Sequence, residues 1–174
     1  TPPPEPVAAV VEAPPSDRDG DGVADSADNC PEVAGLAANA GCPPYEKVVV
    51  RPEKLDVNEK IAFAWSSSKI LETSHPALDE VVRALKDNPS FKVQVDGHSS
   101  SDGLDSYNQT LSEQRAAAVV DYLVAHGVAK TRLVSKGFSS SVPLNSNTTS
   151  EGRVSNRRVE FIVSFIILEK GNTP

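Results

Sequence analysis

Residues 91–127 read FKVQVDGHSSSDGLDSYNQTLSEQRAAAVVDYLVAHG. Phe91, Val93 and Val95 alternate with Lys92, Gln94 and Asp96, the two-residue period of a half-buried strand, and Gly97 ends it. The period then changes. From about Tyr107 to His126 the chain reads as a helix, stopped at Gly127, a residue suited to the left-handed turn that closes a helix. Upstream, Leu78, Val81, Val82 and Leu85 fall at i, i+3, i+4 and i+7, a second amphipathic helix. Ser74 is its expected N-cap, Asp79 and Glu80 are expected in its first turn, Lys86 in its last, and Pro89 follows the end. Ile61, Phe63 and Trp65 alternate with Ala62 and Ala64 and suggest a weak first strand. Downstream, Leu133–Phe138 predicts a third strand, and Val159, Phe161, Val163, Phe165 and Ile167 a long fourth one, separated by a Ser/Asn/Thr loop over 139–156. The order β-α-β-α-β-β predicts an α+β domain, one sheet with helices packed on it.

The whole chain has 174 residues, with 17 Lys+Arg against 24 Asp+Glu and a net charge of −7. That length suits one ordinary domain plus an appendage. The acidic balance argues against a general nucleic-acid binder or a protein that clings to anionic lipid, both of which rely on a Lys/Arg excess. The longest apolar stretches, 161–163 and 165–168, are far shorter than the ~20 residues that span a bilayer. No signal peptide is evident, so the chain reads as a mature or excised piece whose membrane anchor would lie outside it. Residues 1–16 hold six of the 14 prolines and read as an extended spacer. Residues 17–44 form an acidic, cysteine-bearing segment, and 45–170 have the composition of a globular domain.

The segment Asp17–Asp28 places acidic side chains at loop positions 1, 3, 5, 9 and 12 and glycine at position 6. Calcium is a hard cation that takes about 6–8 oxygens. Asp17, Asp19, Asp21, the Val23 carbonyl, Asp25 and Asp28 supply that set, whereas five carboxylates without a cation would repel one another. No apolar helix flanks the loop, so the expectation is a rigidifying Ca2+ site, not a sensor. Cys30 and Cys42 are the only cysteines. With no CxxC or Cys/His cluster, a disulfide in an oxidising compartment is the economical reading, against zinc or two free thiols.

On the second helix Asn108, Leu111, Arg115, Ala118, Val119 and Tyr122 fall on one face, so Arg115 interrupts an apolar stripe. A guanidinium there needs an internal carboxylate, a route to the surface, or a ligand carboxylate to grip in bidentate fashion. His98 among Ser99, Ser100 and Ser101, with Asp96 and Asp102 nearby, superficially offers hydrolase chemistry. Neighbours on one strand end do not converge as a triad requires, and no Gly-x-Ser-x-Gly elbow is present. The chain is read as a non-enzyme, with His98 packed to fix the turn.

The blocks Gly97-His98-Ser99-Ser100-Ser101-Asp102-Gly103 and Tyr107-Asn108-Gln109-Thr110-Leu111-Ser112-Glu113-Gln114-Arg115-Ala116 resemble the OmpA-like C-terminal domain. Gly127-Val128, Arg132-Leu133, Lys136-Gly137-Phe138, Pro143, Asn147, Glu151-Gly152-Arg153 and Asn156-Arg157-Arg158-Val159-Glu160 continue the resemblance, which runs from about Lys60 to Phe165. Asp17–Pro31 resembles a single thrombospondin type 3 repeat, and its pairing with a small disulfide loop resembles the region before this domain in OprF-like porins.

The resemblance implies a mixed sheet and non-covalent binding of peptidoglycan, tethering the outer membrane to the cell wall from its periplasmic side through an anchor upstream. It leaves formation of a homodimer open. The ligand it implies is the diaminopimelate of the stem peptide, a zwitterion whose carboxylate is gripped by an arginine matching Arg115. The family's acid for the ammonium stands fifteen residues earlier, where this chain has Ser100; nor does Ala64-Trp65-Ser66 supply an acid the family often has there. Asp102 is the expected substitute and Asp105 a more distant one. Asn108 and Leu111 share the arginine's face, and Arg157 is favoured over Arg158 for the groove. The competing expectation is a calcium-dependent protein-interaction module at the cell surface, which would bind a protein and not the wall.

Overall fold

The computed structural model describes residues 13–165. Most of the proline-rich spacer, 1–12, and the end of the last predicted strand, including Ile167, lie outside the described residues. The chain divides between Pro44 and Tyr45 into two compact units. In the first, a bridge between Leu36 and Cys42 brackets the 3-10 turn Ala37–Asn39, and Cys30 and Cys42 form a disulfide.

The second unit contains strands β1 (Val48–Val50), β2 (Lys54–Val57), β3 (Phe91–Gly97), β4 (Leu133–Gly137) and β5 (Val159–Phe165). Its helices are α1 (His75–Asp87), α2 (Asp105–Ala125) and α3 (Ser150–Asn156). The sheet order is β1-β2-β5-β3-β4, with β3 and β4 parallel and the other neighbours antiparallel. It is the expected mixed sheet, but its order along the chain is β-β-α-β-α-β-α-β. The predicted first strand is not in the sheet. Ile61 is buried, Phe63 makes an isolated bridge to Ile70, and Trp65 stands in solvent. The first sheet strands are instead β1 and β2, joined by a turn with Pro52 in which the Arg51 amide donates to the Lys54 carbonyl at 3.0 Å.

The core forms where the two helices cover the sheet. Leu78, Val81 and Leu85 from α1 and Val119 and Leu123 from α2 pack with Val93, Val95 and Phe161, all at most 2% exposed. Pro76 starts α1. Ser74 does not cap it with its side chain; the hydroxyl accepts the Ala62 amide at 2.8 Å. The helix begins at His75, so Asp79 and Glu80 lie beyond its first turn. Glu80 accepts the amides of Glu46, Lys47 and Val48 and so ties α1 to β1. Gly127, at φ +100°, follows α2 as expected.

Gly97 and Gly137 face each other at the ends of β3 and β4. A Cβ on Gly97 would overlap the Ser112 carbonyl, and one on Gly137 would overlap the Glu113 amide. Two bare backbones therefore let the first half of α2 settle onto the sheet edge. The loop that leads from β3 into α2 is thereby held against the body of the domain.

Candidate functional site

That loop is unusually well buried for so polar a sequence: His98, Ser99 and Ser100 are 4%, 6% and 3% exposed. Its backbone is stitched on both sides, His98 N to Arg158 O at 2.8 Å and Ser99 N to Ser139 O at 2.7 Å. From α2, Asn108 donates to the carbonyls of Ser100 (3.2 Å) and Asp102 (2.7 Å). Asn108, expected on the ligand face, is 6% exposed and its amide group clamps the loop.

Ser100 donates to Asp102 Oδ2 at 3.1 Å and accepts from Arg157 Nη1 at 3.2 Å. The same Asp102 oxygen lies 3.3 Å from Arg153 Nε and 3.4 Å from Arg157 Nη1, with its side chain 61% exposed. Asp102 thus occupies the neighbourhood of the serine that stands where an acid was expected. Asp105 does not: its carboxylate accepts from Ser139 Oγ at 2.7 Å and fastens the start of α2 to the chain after β4. The two arginines just before β5 point different ways. Arg157 reaches Ser100 and Asp102, whereas Arg158 pairs with Glu160 at 3.3 Å and is 9% exposed.

The predicted stripe on α2 is rotated from the true one. The buried face is Asn108, Ser112, Ala116, Val119, Val120 and Leu123, while Leu111, Arg115, Ala118 and Tyr122 run along its border, half-buried. Arg115 Nε donates to the Ser67 carbonyl at 3.0 Å, and its guanidinium carbon lies 5.0 Å from the centre of the Phe63 ring. Among the described residues no carboxylate pairs with it and no protein group binds its two terminal nitrogens. Burial lowers its pKa, the nearby Tyr107 raises it and the Arg157 charge lowers it further; it remains a cation at neutral pH. The internal salt bridge weighed from the sequence is not what holds it.

Lys60 and Arg153 belong to this cluster and carried no role in the sequence reading. Lys60 donates to the Val154 carbonyl, and burial of its amine together with Arg157, Arg115 and Arg158 pushes its pKa down. Arg153 lies on α3, a helix hidden in the predicted loop. Its local signals are Thr149, whose hydroxyl accepts the Gly152 amide at 3.0 Å, and Glu151 in the first turn. Asn156, fully buried, orders the preceding segment by bonding Leu144, Asn145 and Asn147. The result is a cationic neighbourhood in which Arg153 and Arg157 pair with Asp102, and the charges of Arg157 and Arg115 are felt at Lys60. It suits an anion, or a zwitterion whose carboxylate meets the arginines. A shallow cleft of about 520 Å3 between α2 and β4, lined by Glu113, Gln114 and Lys136, lies apart from this cluster.

His98 stacks on Phe138 at 5.3 Å, and Nε2 approaches Glu160 Oε2 at 3.2 Å without hydrogen-bond alignment. Burial, with Arg158, lowers its pKa against the opposing pull of Glu160 and Asp96. No serine bonds to it among the described residues.

In the first unit, Asp17, Asp19 and Asp21 bring carboxylate oxygens within 4.8 Å of one another. Gly22, expected at the sharp turn, has φ +89°. Asp25 is not with them. It accepts the Arg18 amide at 2.9 Å and the Ser16 hydroxyl at 2.6 Å, and Arg18 Nε lies 3.7 Å away, an internal pairing the spacing pattern did not foresee. Asp28 accepts the Cys30 amide, while its other oxygen and Asp19 Oδ2 are buried without partners. Val23 donates its amide to Asp21 at 2.8 Å. Burial of Asp19, and the neighbouring Asp21, Asp28 and Asp17 charges, raise its pKa against the Asp21 amide bond. Three converging carboxylates with two orphaned buried oxygens fit a hard divalent cation.

Residues 62–157 match the OmpA family and residues 15–37 the thrombospondin type 3 repeat. Outer membrane porin F of Pseudomonas aeruginosa is 43% identical over 162 residues, which cover 91% of this chain and 43% of that protein. Peptidoglycan-binding protein ArfA of Mycobacterium tuberculosis is 39% identical over 104 residues, covering 60% of this chain and 32% of that one. The chain therefore spans less than half the length of these relatives. The solved cell wall anchor of the T6SS from Pseudomonas aeruginosa superposes with a TM-score of 0.58 at 29% identity, covering 68% of this chain and 88% of the other. The peptidoglycan-associated lipoprotein of Burkholderia pseudomallei shares the fold at 20% identity, with a TM-score of 0.56 over 61% of this chain and 91% of the other.

Proposed function

Since the chain belongs to the OmpA family, we propose that its globular unit binds peptidoglycan without catalysis, holding the outer membrane to the cell wall from the periplasmic side. The relatives' names point the same way, and an anchor beyond this chain would complete the tether. The observation that carries the reading is Arg115, held by the Ser67 carbonyl and the Phe63 ring with no carboxylate of its own. Its terminal N–H groups are left for a ligand carboxylate, which a planar guanidinium takes through two parallel bonds.

The stem-peptide diaminopimelate fits this surface as a zwitterion. Its carboxylate would lie on Arg115, and its ammonium would turn to Asp102, the acid beside Ser100. Arg157 and Arg153 fix that acid, Asn108 fixes the loop, and Leu111, one turn before Arg115, offers apolar contact. In the first unit Asp17, Asp19 and Asp21, with Asp28 nearby, would hold Ca2+, and the carbonyl of Val23 is a further candidate ligand. Bound Ca2+ would cancel the repulsion among these carboxylates, and with the disulfide would stiffen the segment ahead of the wall-binding unit. Arg115→Ala should lower retention by purified sacculi at least a hundredfold, with the fold unchanged by circular dichroism. Retention equal to wild type would refute the assignment.

A further inference from the structure

Trp65 is 96% exposed, the least covered of the large apolar side chains among the described residues. It does not ride on a loose tail. Ala64 donates its amide to the Lys69 carbonyl at 2.8 Å, Ser67 to the Ala64 carbonyl at 3.1 Å, and Lys69 to Ser67 Oγ at 3.0 Å. Ser66 sits at φ +50°, a left-handed conformation rarely adopted by a residue with a Cβ, and its hydroxyl meets the Tyr107 hydroxyl. The turn is pinned on three sides while it holds an indole out in water. An uncovered aromatic face of this kind marks an interaction site.

The same turn builds the anion site, because the Ser67 carbonyl orients Arg115. Trp65 is two residues from that carbonyl, about 7 Å of chain at most. In peptidoglycan two residues, one of them γ-linked, and a lactyl ether separate the diaminopimelate from the sugar that carries the stem, a span of up to roughly 10–15 Å. A stem peptide anchored at Arg115 therefore brings its sugar within reach of the indole. The chemistry also agrees. The C–H face of a pyranose is apolar and weakly positive, complementary to the negative face of an aromatic ring. Ser66, Ser67, Ser68 and the half-exposed Tyr107 offer hydroxyls for its equatorial groups. A single indole with a hydroxyl rim suits a sugar better than a protein partner, which would need about 800 Å2 of contact.

We infer that Trp65 is a saccharide platform that stacks against the N-acetylated amino sugar bearing the stem peptide. The inference deepens the peptidoglycan reading and rests on it. The test compares two probes by calorimetry on the intact chain: the free stem tripeptide containing diaminopimelate, and the same tripeptide joined to its disaccharide. Wild type should bind the sugar-bearing probe roughly five- to tenfold more tightly. Trp65→Ala should erase that gain without changing affinity for the free tripeptide, and Trp65→Phe should restore part of it. Trp65 is the only tryptophan of the chain, so its emission should shift to the blue with the sugar-bearing probe and not with the tripeptide. Equal wild-type affinity for both probes, or equal weakening of both by Trp65→Ala, would overturn the platform. A Trp65→Ala protein that loses self-association in sedimentation while keeping its preference for the sugar would make Trp65 a contact between copies, and would overturn it too. Arg115→Ala separates the two readings, because loss of both probes supports the wall-binding site whatever Trp65 does, and retention of both refutes that site alone.

Discussion

Asp102→Asn removes the carboxylate that pairs with Arg153 and Arg157. A ligand ammonium about 4 Å from that carboxylate gains ~1 kcal/mol in water and ~4 kcal/mol at an effective dielectric of about 20. The Asp102 side chain is 61% exposed, and Arg153 and Arg157 already share its charge, so the value near the water limit applies. That is about fivefold in affinity. Ser100→Asp tests the opposite direction. Ser100 is 3% exposed and its hydroxyl is 3.2 Å from Arg157, so a carboxylate there would be less screened and already have a cationic neighbour. Affinity should rise roughly tenfold, and Ser100→Asp combined with Asp102→Asn should bind at least as well as wild type. The assay is calorimetry with the diaminopimelate tripeptide and with the same peptide acetylated on its side-chain amine. Asp102→Asn should weaken only the first. Equal weakening of both, or no change in either, would show that Asp102 does not face the ammonium.

The remaining expectations concern stability and the metal. Reducing the Cys30–Cys42 bridge, which closes a loop of sequence separation 12, should destabilise the first unit by roughly 3 kcal/mol, read as a lower melting transition of that unit. Calcium should raise the same transition and a chelator reverse it, whereas Asp19→Asn should weaken calcium binding at least tenfold by titration. His98 gives the second unit a pH dependence. Its folded pKa lies below the ordinary 6.5 because of burial and Arg158, so the unfolded chain takes up a proton first as pH falls. Stability should decline from about pH 7 toward pH 5, and His98→Phe, which keeps the packing on Phe138, should flatten that slope. Asp96, whose pKa burial raises from 3.8, has the opposite sign and acts nearer the carboxylate range.

The strongly periodic elements were legible because burial enforces their period. Phe91, Val93 and Val95 fill the core side of β3 as their alternation predicted, and α1 buries the spaced residues Leu78, Val81, Val82 and Leu85. The Ile61–Trp65 alternation misled because alternation reports which faces differ, not whether a neighbouring strand exists. β1 and β2 are only three and four residues long, too short for a period to declare itself. On α2 the true face includes Asn108, Ser112 and Ala116, small or polar residues that fit where Gly97 and Gly137 let the helix come close. A search for large apolar residues therefore set the stripe one step too far round. Arg115 was visible as an oddity of that stripe. Its partners were not, since a backbone carbonyl at Ser67 leaves no mark on side-chain identity. Asp25 shows a related limit: a spacing pattern counts carboxylates, and cannot see that Arg18 and Ser16 bond to one of them.

The position of the acid bears on how such a tether would work. A carboxylate at the buried Ser100 position would hold an ammonium tightly, but at the cost of desolvating a charge that must be paired when no ligand is present. Moved two residues on, Asp102 stays largely in water and rests on Arg153 and Arg157, so the empty site carries no stranded buried acid. The interaction it offers is correspondingly weaker and more readily broken. For a lattice of repeated stem peptides that exchange is favourable. Many copies fixed in one membrane would present an effective concentration that multiplies modest single-site affinity, while each contact could release as the wall is remodelled. On the proposed reading, a screened acid at the surface and a half-buried arginine would be two parts of one compromise: the arginine would select the carboxylate, and the acid would set how long it is kept.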